Sequence, residues 1–77
     1  MKIKIKYFGM LTDITSCEEE IIDFSGVLIL ELLEVLFIKY PNLKDKKFQV
    51  AQNNELVPVN IKISSQEIVL LPPFSGG

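Results

Sequence analysis

The chain opens with strict alternation from Lys2 to Phe8: Ile3, Ile5 and Tyr7 fall on one face, Lys2, Lys4 and Lys6 on the other. A period of two predicts a strand with one buried face. Phe8 keeps the phase but breaks the chemistry, since it falls on the lysine face, where water is expected. The stretch from Gly9 to Ser16 reads as a loop. Glu20 to Phe24 reads as a second strand, with Ile21 or Ile22 turned inward, and a hairpin with the first strand is the economical topology.

Ser25-Gly26 then offers a helix start, with Ser25 as N-cap. Val27 to Tyr40 reads as helix, stopped by Pro41. At helical spacing Ile29, Leu32, Leu33, Leu36 and Tyr40 share one face, Glu31 and Glu34 mark the opposite side, and Ile38 lies between the glutamates, partly exposed. Asn42 to Lys47 is a polar connection and Phe48 to Gln52 a strand. Asn53-Asn54 signals a turn, because asparagine tolerates the left-handed region. Leu56 to Val59 is a short return strand, and Asn60 to Gln66 has no clear assignment. Ile68 to Leu71 is a continuous apolar run, the signature of a central strand buried on both faces. Strand, strand, helix, strand, short strand, strand in one unit predicts an α+β fold. First and last strands paired in parallel at the centre of a mixed sheet, with the helix across one face, make a β-grasp. Periodicity alone also permits other small α+β arrangements.

Bulk properties narrow the class. Seventy-seven residues with 48% hydrophobic content are expected to form one domain, 1–77, with a well-used core and a projecting tail, 72–77. A net charge of -2 argues against general nucleic-acid binding. The acidic run Glu18-Glu19-Glu20 reads as solvated surface, and Lys2, Lys4 and Lys6 as a solvated strand edge. The single cysteine, Cys17, rules out an internal disulfide and suits a reducing compartment; beside the glutamates it reads as an unreactive surface thiol. No signal peptide or membrane-length apolar run is visible, so a cytoplasmic location is expected. The chain has no histidine, which excludes any His-dependent zinc site, triad or proton shuttle.

The sharpest chemical signal is the end, Pro72-Pro73-Phe74-Ser75-Gly76-Gly77. Neither proline has an N–H for a strand ladder, so the last strand must stop. Two terminal glycines suit a channel too narrow for a side chain. The reactive group is then expected to be the carboxylate of Gly77. A carboxylate is a poor electrophile; adenylation by ATP turns it into a mixed anhydride, and a sulfur nucleophile that displaces AMP leaves a thiocarboxylate. No phosphate-binding glycine loop is present, so ATP would be consumed by an activating partner and no cofactor is expected on this chain.

A second candidate is apolar. Phe8 sits on the lysine face, Leu71 is out of phase with Ile68 and Leu70, and Leu56 follows the Asn53-Asn54 turn. Meeting on the open sheet face, the three would form a partner surface. Single exposed apolar residues are also ordinary, and pattern alone leaves both readings standing.

Ile3-Lys4-Ile5-Lys6-Tyr7-Phe8-Gly9, Leu32-Leu33, Val50-Ala51-Gln52-Asn53 and Leu70-Leu71-Pro72-Pro73-Phe74-Ser75-Gly76-Gly77 together resemble the MoaD family, the sulfur-carrier small subunit of molybdopterin synthase, within the ubiquitin-like MoaD/ThiS superfamily. The chain departs from the family's usual residues at Thr12-Asp13, at Ser64-Ser65-Gln66-Glu67 and at Phe74. The resemblance implies a β-grasp fold and a thiocarboxylate on Gly77. It implies three partners: an adenylating enzyme (MoeB-like), a sulfur-donating sulfurtransferase, and the synthase large subunit (MoaE-like) in a heterotetramer. Pro72, Pro73, Phe74, Ser75 and Gly76 would then enter the large subunit, where sulfur passes to a pterin precursor during molybdenum cofactor biosynthesis. Phe8, Leu56 and Leu71 match the family's hydrophobic interface. The chain would not be catalytic alone and would bind neither metal, nucleic acid nor membrane. The alternatives are a carrier for thiamine-thiazole synthesis, which typically lacks the proline pair, a ubiquitin-like modifier conjugated through Gly77, and a β-grasp interaction module with an idle tail.

Overall fold

A computed structural model describes residues 1–73, so expectations about Phe74, Ser75, Gly76 and Gly77 lie outside the described residues. The alternating opening segment forms β1 (Lys2–Tyr7), and Ile3, Ile5 and Tyr7 are buried as the pattern requires. β2 (Glu19–Asp23) pairs with it antiparallel. Of the two candidate inward residues, Ile22 packs against the core and Ile21 is 64% exposed. The expected loop between these strands instead holds a short helix, α1 (Leu11–Thr15). Leu11 plugs the core completely, and Thr15 Oγ1 donates back to its carbonyl. Five residues are too few to show helical periodicity, so only tertiary burial selects this turn.

The main helix, α2 (Ile29–Lys39), starts later than expected, and its N-cap is Leu28 rather than Ser25. Its first N–H groups are satisfied by another segment: Ile29 N–H donates to the Ile61 carbonyl and Leu30 N–H to that of Val59. Val27 and Leu28 are held extended in the same way, with Ile63 N–H donating to the Val27 carbonyl and Leu28 bridging Lys62. Glu31 Oε1 then accepts from the N–H groups of Val27 and Leu28. A helix begins where orphan donors find partners, and here they are remote in sequence. Ile29, Leu32, Leu33 and Leu36 are buried and Tyr40 partly so, while Ile38 is far more exposed than the wheel suggests.

A 3-10 turn at Pro41–Asp45 follows, and inside this nominally polar connection Leu43 is fully buried. β3 (Gln49–Gln52) and β4 (Glu55–Val57) form the expected hairpin, with Asn53 and Asn54 at φ 54° and 63°. Both values are what a two-residue type I′ turn needs. Gln52, 5% exposed, ties down the unassigned stretch: its Nε2 donates to the Lys62 carbonyl and its Oε1 accepts from Ser64 N–H.

β5 (Glu67–Leu71) pairs in parallel with β1 and antiparallel with β3, giving the five-stranded order β2-β1-β5-β3-β4. The first and last strands therefore lie inside a mixed sheet, with α2 across one face. This is the β-grasp, or ubiquitin-like, fold. Two expectations need correction. β1 is an inner strand, so its lysines line the open sheet face rather than an edge. β5 buries Ile68 and Leu70 completely, but Val69 and Leu71 are only half-buried, because no element among the described residues covers the second face.

Candidate functional site: the strand exit and the open sheet face

The site is organised by where β5 ends. Leu71 is its last residue, as the proline pair requires. Pro72 is half-buried and lies against Gly9, which has φ +61° and no side chain in the way. Pro73 is exposed. Pro72 is thus seated on the fold, and Pro73 is the first exposed residue after the strand. Gly9 is the site residue that sequence reasoning missed; its position directly after Phe8, opposite the end of a parallel partner strand, was the available signal.

Beside this exit the open face is apolar. Sheet register aligns Lys6, Val69, Ala51 and Leu56 in one row across four strands. Along the same face, Leu71 pairs with Gln49. Phe8 N–H donates to the Leu70 carbonyl, which puts Phe8 next to Leu71 by continuation of the Tyr7–Leu70 pairing. Leu56 and Leu71 line one groove of about 480 Å³ together with Val69 and Ala51. Phe8, 47% exposed, is not in that groove and flanks Leu71 from β1. The three predicted residues therefore share one face but form a line rather than a single pocket. Val69 and Ala51 connect them, and the sequence reading named neither. Lys6 borders the row and is paired with Glu67 at 3.4 Å.

Behind the exit, on the core side, a polar cluster braces β1 against α2. Glu20 accepts from the Tyr7 hydroxyl at 2.7 Å and from the Tyr40 hydroxyl at 2.6 Å, and pairs with Lys39. The Tyr7 and Tyr40 rings meet edge to face. Burial pushes the Glu20 carboxyl up, but the hydrogen bonds from Lys39, Tyr40 and Tyr7 outweigh it and leave the group below its ordinary value. Burial, and then the bond to Glu20, raise both phenols well above the ordinary tyrosine range. Glu20 is thus a structural hub rather than the solvated surface its acidic run suggested. Cys17 is partly buried against the core, with Sγ 3.9 Å from Glu20 Oε2, and so is not the open surface thiol expected.

Among the described residues no group of three or more His, Cys, Asp or Glu side chains is placed to hold a metal ion. Among them, too, no helix is long and apolar enough to cross a membrane. The described residues assemble a half-exposed apolar face and a strand exit; the Cys17 thiol lies against Glu20 in the tyrosine cluster rather than on that face.

Comparison with known proteins agrees with this geometry. Small archaeal modifier protein 1 from Haloferax volcanii shares the fold at a TM-score of 0.81 and 21% identity, covering 100% of both chains. A Pyrococcus furiosus protein provisionally described as molybdopterin converting factor, subunit 1 superposes at 0.86 with 20% identity, over 96% of this chain and 99% of that one. The modifier protein 1 of Methanosarcina acetivorans gives 0.77 at 24%, over 99% and 96%. These likenesses establish the fold. The class the fold defines is the ubiquitin-like β-grasp one. The ThiS family model matches residues 5–77, and the chain belongs to the ThiS family.

Proposed function

We propose that this chain is the sulfur-carrier subunit of a molybdopterin synthase, with the Gly77 carboxylate as its reactive group. The observation that carries the reading is the strand exit. Parallel pairing of β1 and β5 brings the end of the chain out of the sheet centre at Pro72, beside Phe8 and Leu71. A partner that covers the apolar face then receives the segment ending in Gly76-Gly77.

The chemistry follows from the terminal group. An adenylating partner joins the Gly77 carboxylate to AMP and releases pyrophosphate. A hydrosulfide-level sulfur from a sulfurtransferase attacks the carbonyl carbon, and AMP leaves. The resulting thiocarboxylate carries its sulfur into the large subunit, where it attacks an electrophilic carbon of the pterin precursor, and the carbon–oxygen bond there breaks as the oxygen group leaves with a proton. Water then cleaves the acyl–sulfur bond and restores the carboxylate. The carrier supplies position and a soft nucleophile; the partners supply the ATP site and the acid–base groups. Phe8, Val69, Leu71 and Leu56 form the contact with the large subunit, and Pro73, Phe74, Ser75 and Gly76 enter its channel. A cytoplasmic setting suits these soluble reactants.

The modifier reading uses the same activated terminus with a lysine amine as acceptor. Intact-mass spectrometry of the chain from its native cells separates the two. An oxygen-to-sulfur mass shift at Gly77 supports the carrier, and isopeptide-linked adducts support the modifier. A carboxylate mass that persists after incubation with adenylating and sulfurtransferase extract and ATP overturns the carrier reading. Deleting Gly76-Gly77 should abolish sulfur transfer while the unfolding midpoint stays unchanged.

A further inference from the structure

Helix α2 carries a second stripe that the core does not use. On its outward side Ile38 is 83% exposed and Val35 39% exposed, with Glu31 and Glu34 at helical spacing from them. The loop from β2 faces this stripe. There the Phe24 ring packs onto Gly26, where an added Cβ would stand 2.4 Å from Phe24 Cζ. The absent side chain keeps the loop low and leaves a groove of about 390 Å³ between loop and helix. Phe24, Val35 and Ile38 are its apolar wall, and every charged residue lining it (Asp23, Glu31 and Glu34) is acidic. Asp23 is matched by the terminal amine and Lys2, and Glu31 by two backbone N–H groups. Glu34 takes part in no ion pair among the described residues. Exposed apolar area beside a carboxylate that has no ion-pair partner among the described residues suits a partner carrying an aliphatic and a basic side chain.

We propose that this groove docks a basic segment of a second protein. An aliphatic side chain of that segment lies on Ile38 and Val35, and a neighbouring lysine or arginine meets Glu34. An anionic lipid surface does not fit, because the carboxylates repel it. The groove lies on the helix side, away from the open face of Phe8, Val69 and Leu71. A protein held here therefore leaves the strand exit accessible, and two partners engage at once. The inference stands on the helix surface alone and survives failure of the carrier reading.

The test is a nuclear magnetic resonance titration of the full chain with an acetylated peptide of alternating lysine and leucine, against the same peptide with glutamate for lysine. The basic peptide should shift amides at Gly26, Glu34, Val35 and Ile38, weaken with added salt, and lose affinity about fivefold or more in Ile38→Ser and in Glu34→Gln. Both substitutions are at exposed positions and leave the unfolding midpoint as the control. Equal binding of the acidic peptide, shifts confined to the open sheet face, or no loss in either variant overturns the proposal. So does concentration-dependent broadening at the groove without peptide, which would mean that a second copy of the chain is the occupant.

Discussion

Gly9 and Pro72 make a contact that only glycine permits: a Cβ on Gly9 would stand 2.6 Å from Pro72 Cγ, and the backbone there holds φ +61°. The first turn of the chain thereby seats the residue where the last strand leaves the sheet. Gly9→Ala should cost about 1–2 kcal/mol from the left-handed conformation alone, with the clash in addition. Gly9→Asn tolerates the dihedral but keeps the Cβ, so it isolates the clash. Denaturant unfolding of both variants checks the point; wild-type stability in Gly9→Ala would show that Pro72 does not need this seat.

Phe8 and Val69 test the proposed docking face without touching the core. Phe8→Glu in the proposed complex should weaken binding to the large subunit by about 2 kcal/mol or more, because a buried unpaired charge replaces an apolar anchor. Val69→Lys should act in the same direction, although only the sheet register reveals that residue. Isothermal titration reads both, and an unchanged dissociation constant would remove this face from the interface.

Glu20 makes the fold sensitive to acid. Its folded carboxyl sits below the ordinary value of 4.5, so its contribution is complete above that value and is lost as pH falls through the lower folded value. Glu20→Gln should cost about 1.5–3 kcal/mol at neutral pH and flatten this part of the acid limb. Tyr7 works at the other extreme: its folded value is raised, so stability declines as pH climbs above the ordinary 10.0. Unfolding midpoints measured across pH separate the two limbs. An acid limb unchanged in Glu20→Gln would mean that other carboxylates dominate it.

Gln52 holds the segment that caps α2. Gln52→Ala leaves the Lys62 carbonyl and the Ser64 N–H without their partner and should cost about 1–3 kcal/mol. Hydrogen exchange at Ser64 should quicken, and with it exchange at Ile29 and Leu30, whose N–H groups rely on the same segment. Faster exchange at Ser64 alone would uncouple the loop from the helix start.

Residues with a local rule behind them were legible before any coordinates. Ile3, Ile5 and Tyr7 alternate, Ile29 to Leu36 repeat at helical spacing, Asn53-Asn54 turns, and Pro72-Pro73 stops a strand. Each rests on interactions within a few neighbouring residues, so sequence alone determined those elements and their succession; among the small α+β arrangements that succession permits, the assembled sheet selects the β-grasp. Tertiary structure decided what depends on partners distant in the chain. Leu28 caps α2 because the carbonyls of Val59 and Ile61 arrive there. Leu11 and Leu43 became core inside apparent loops, Glu20 became a hub because Tyr7, Lys39 and Tyr40 converge on it, and Val69 stays half-exposed because no helix among the described residues covers its sheet face. Such choices follow from the burial of polar groups and the covering of faces, and both are properties of the assembled sheet rather than of any one segment.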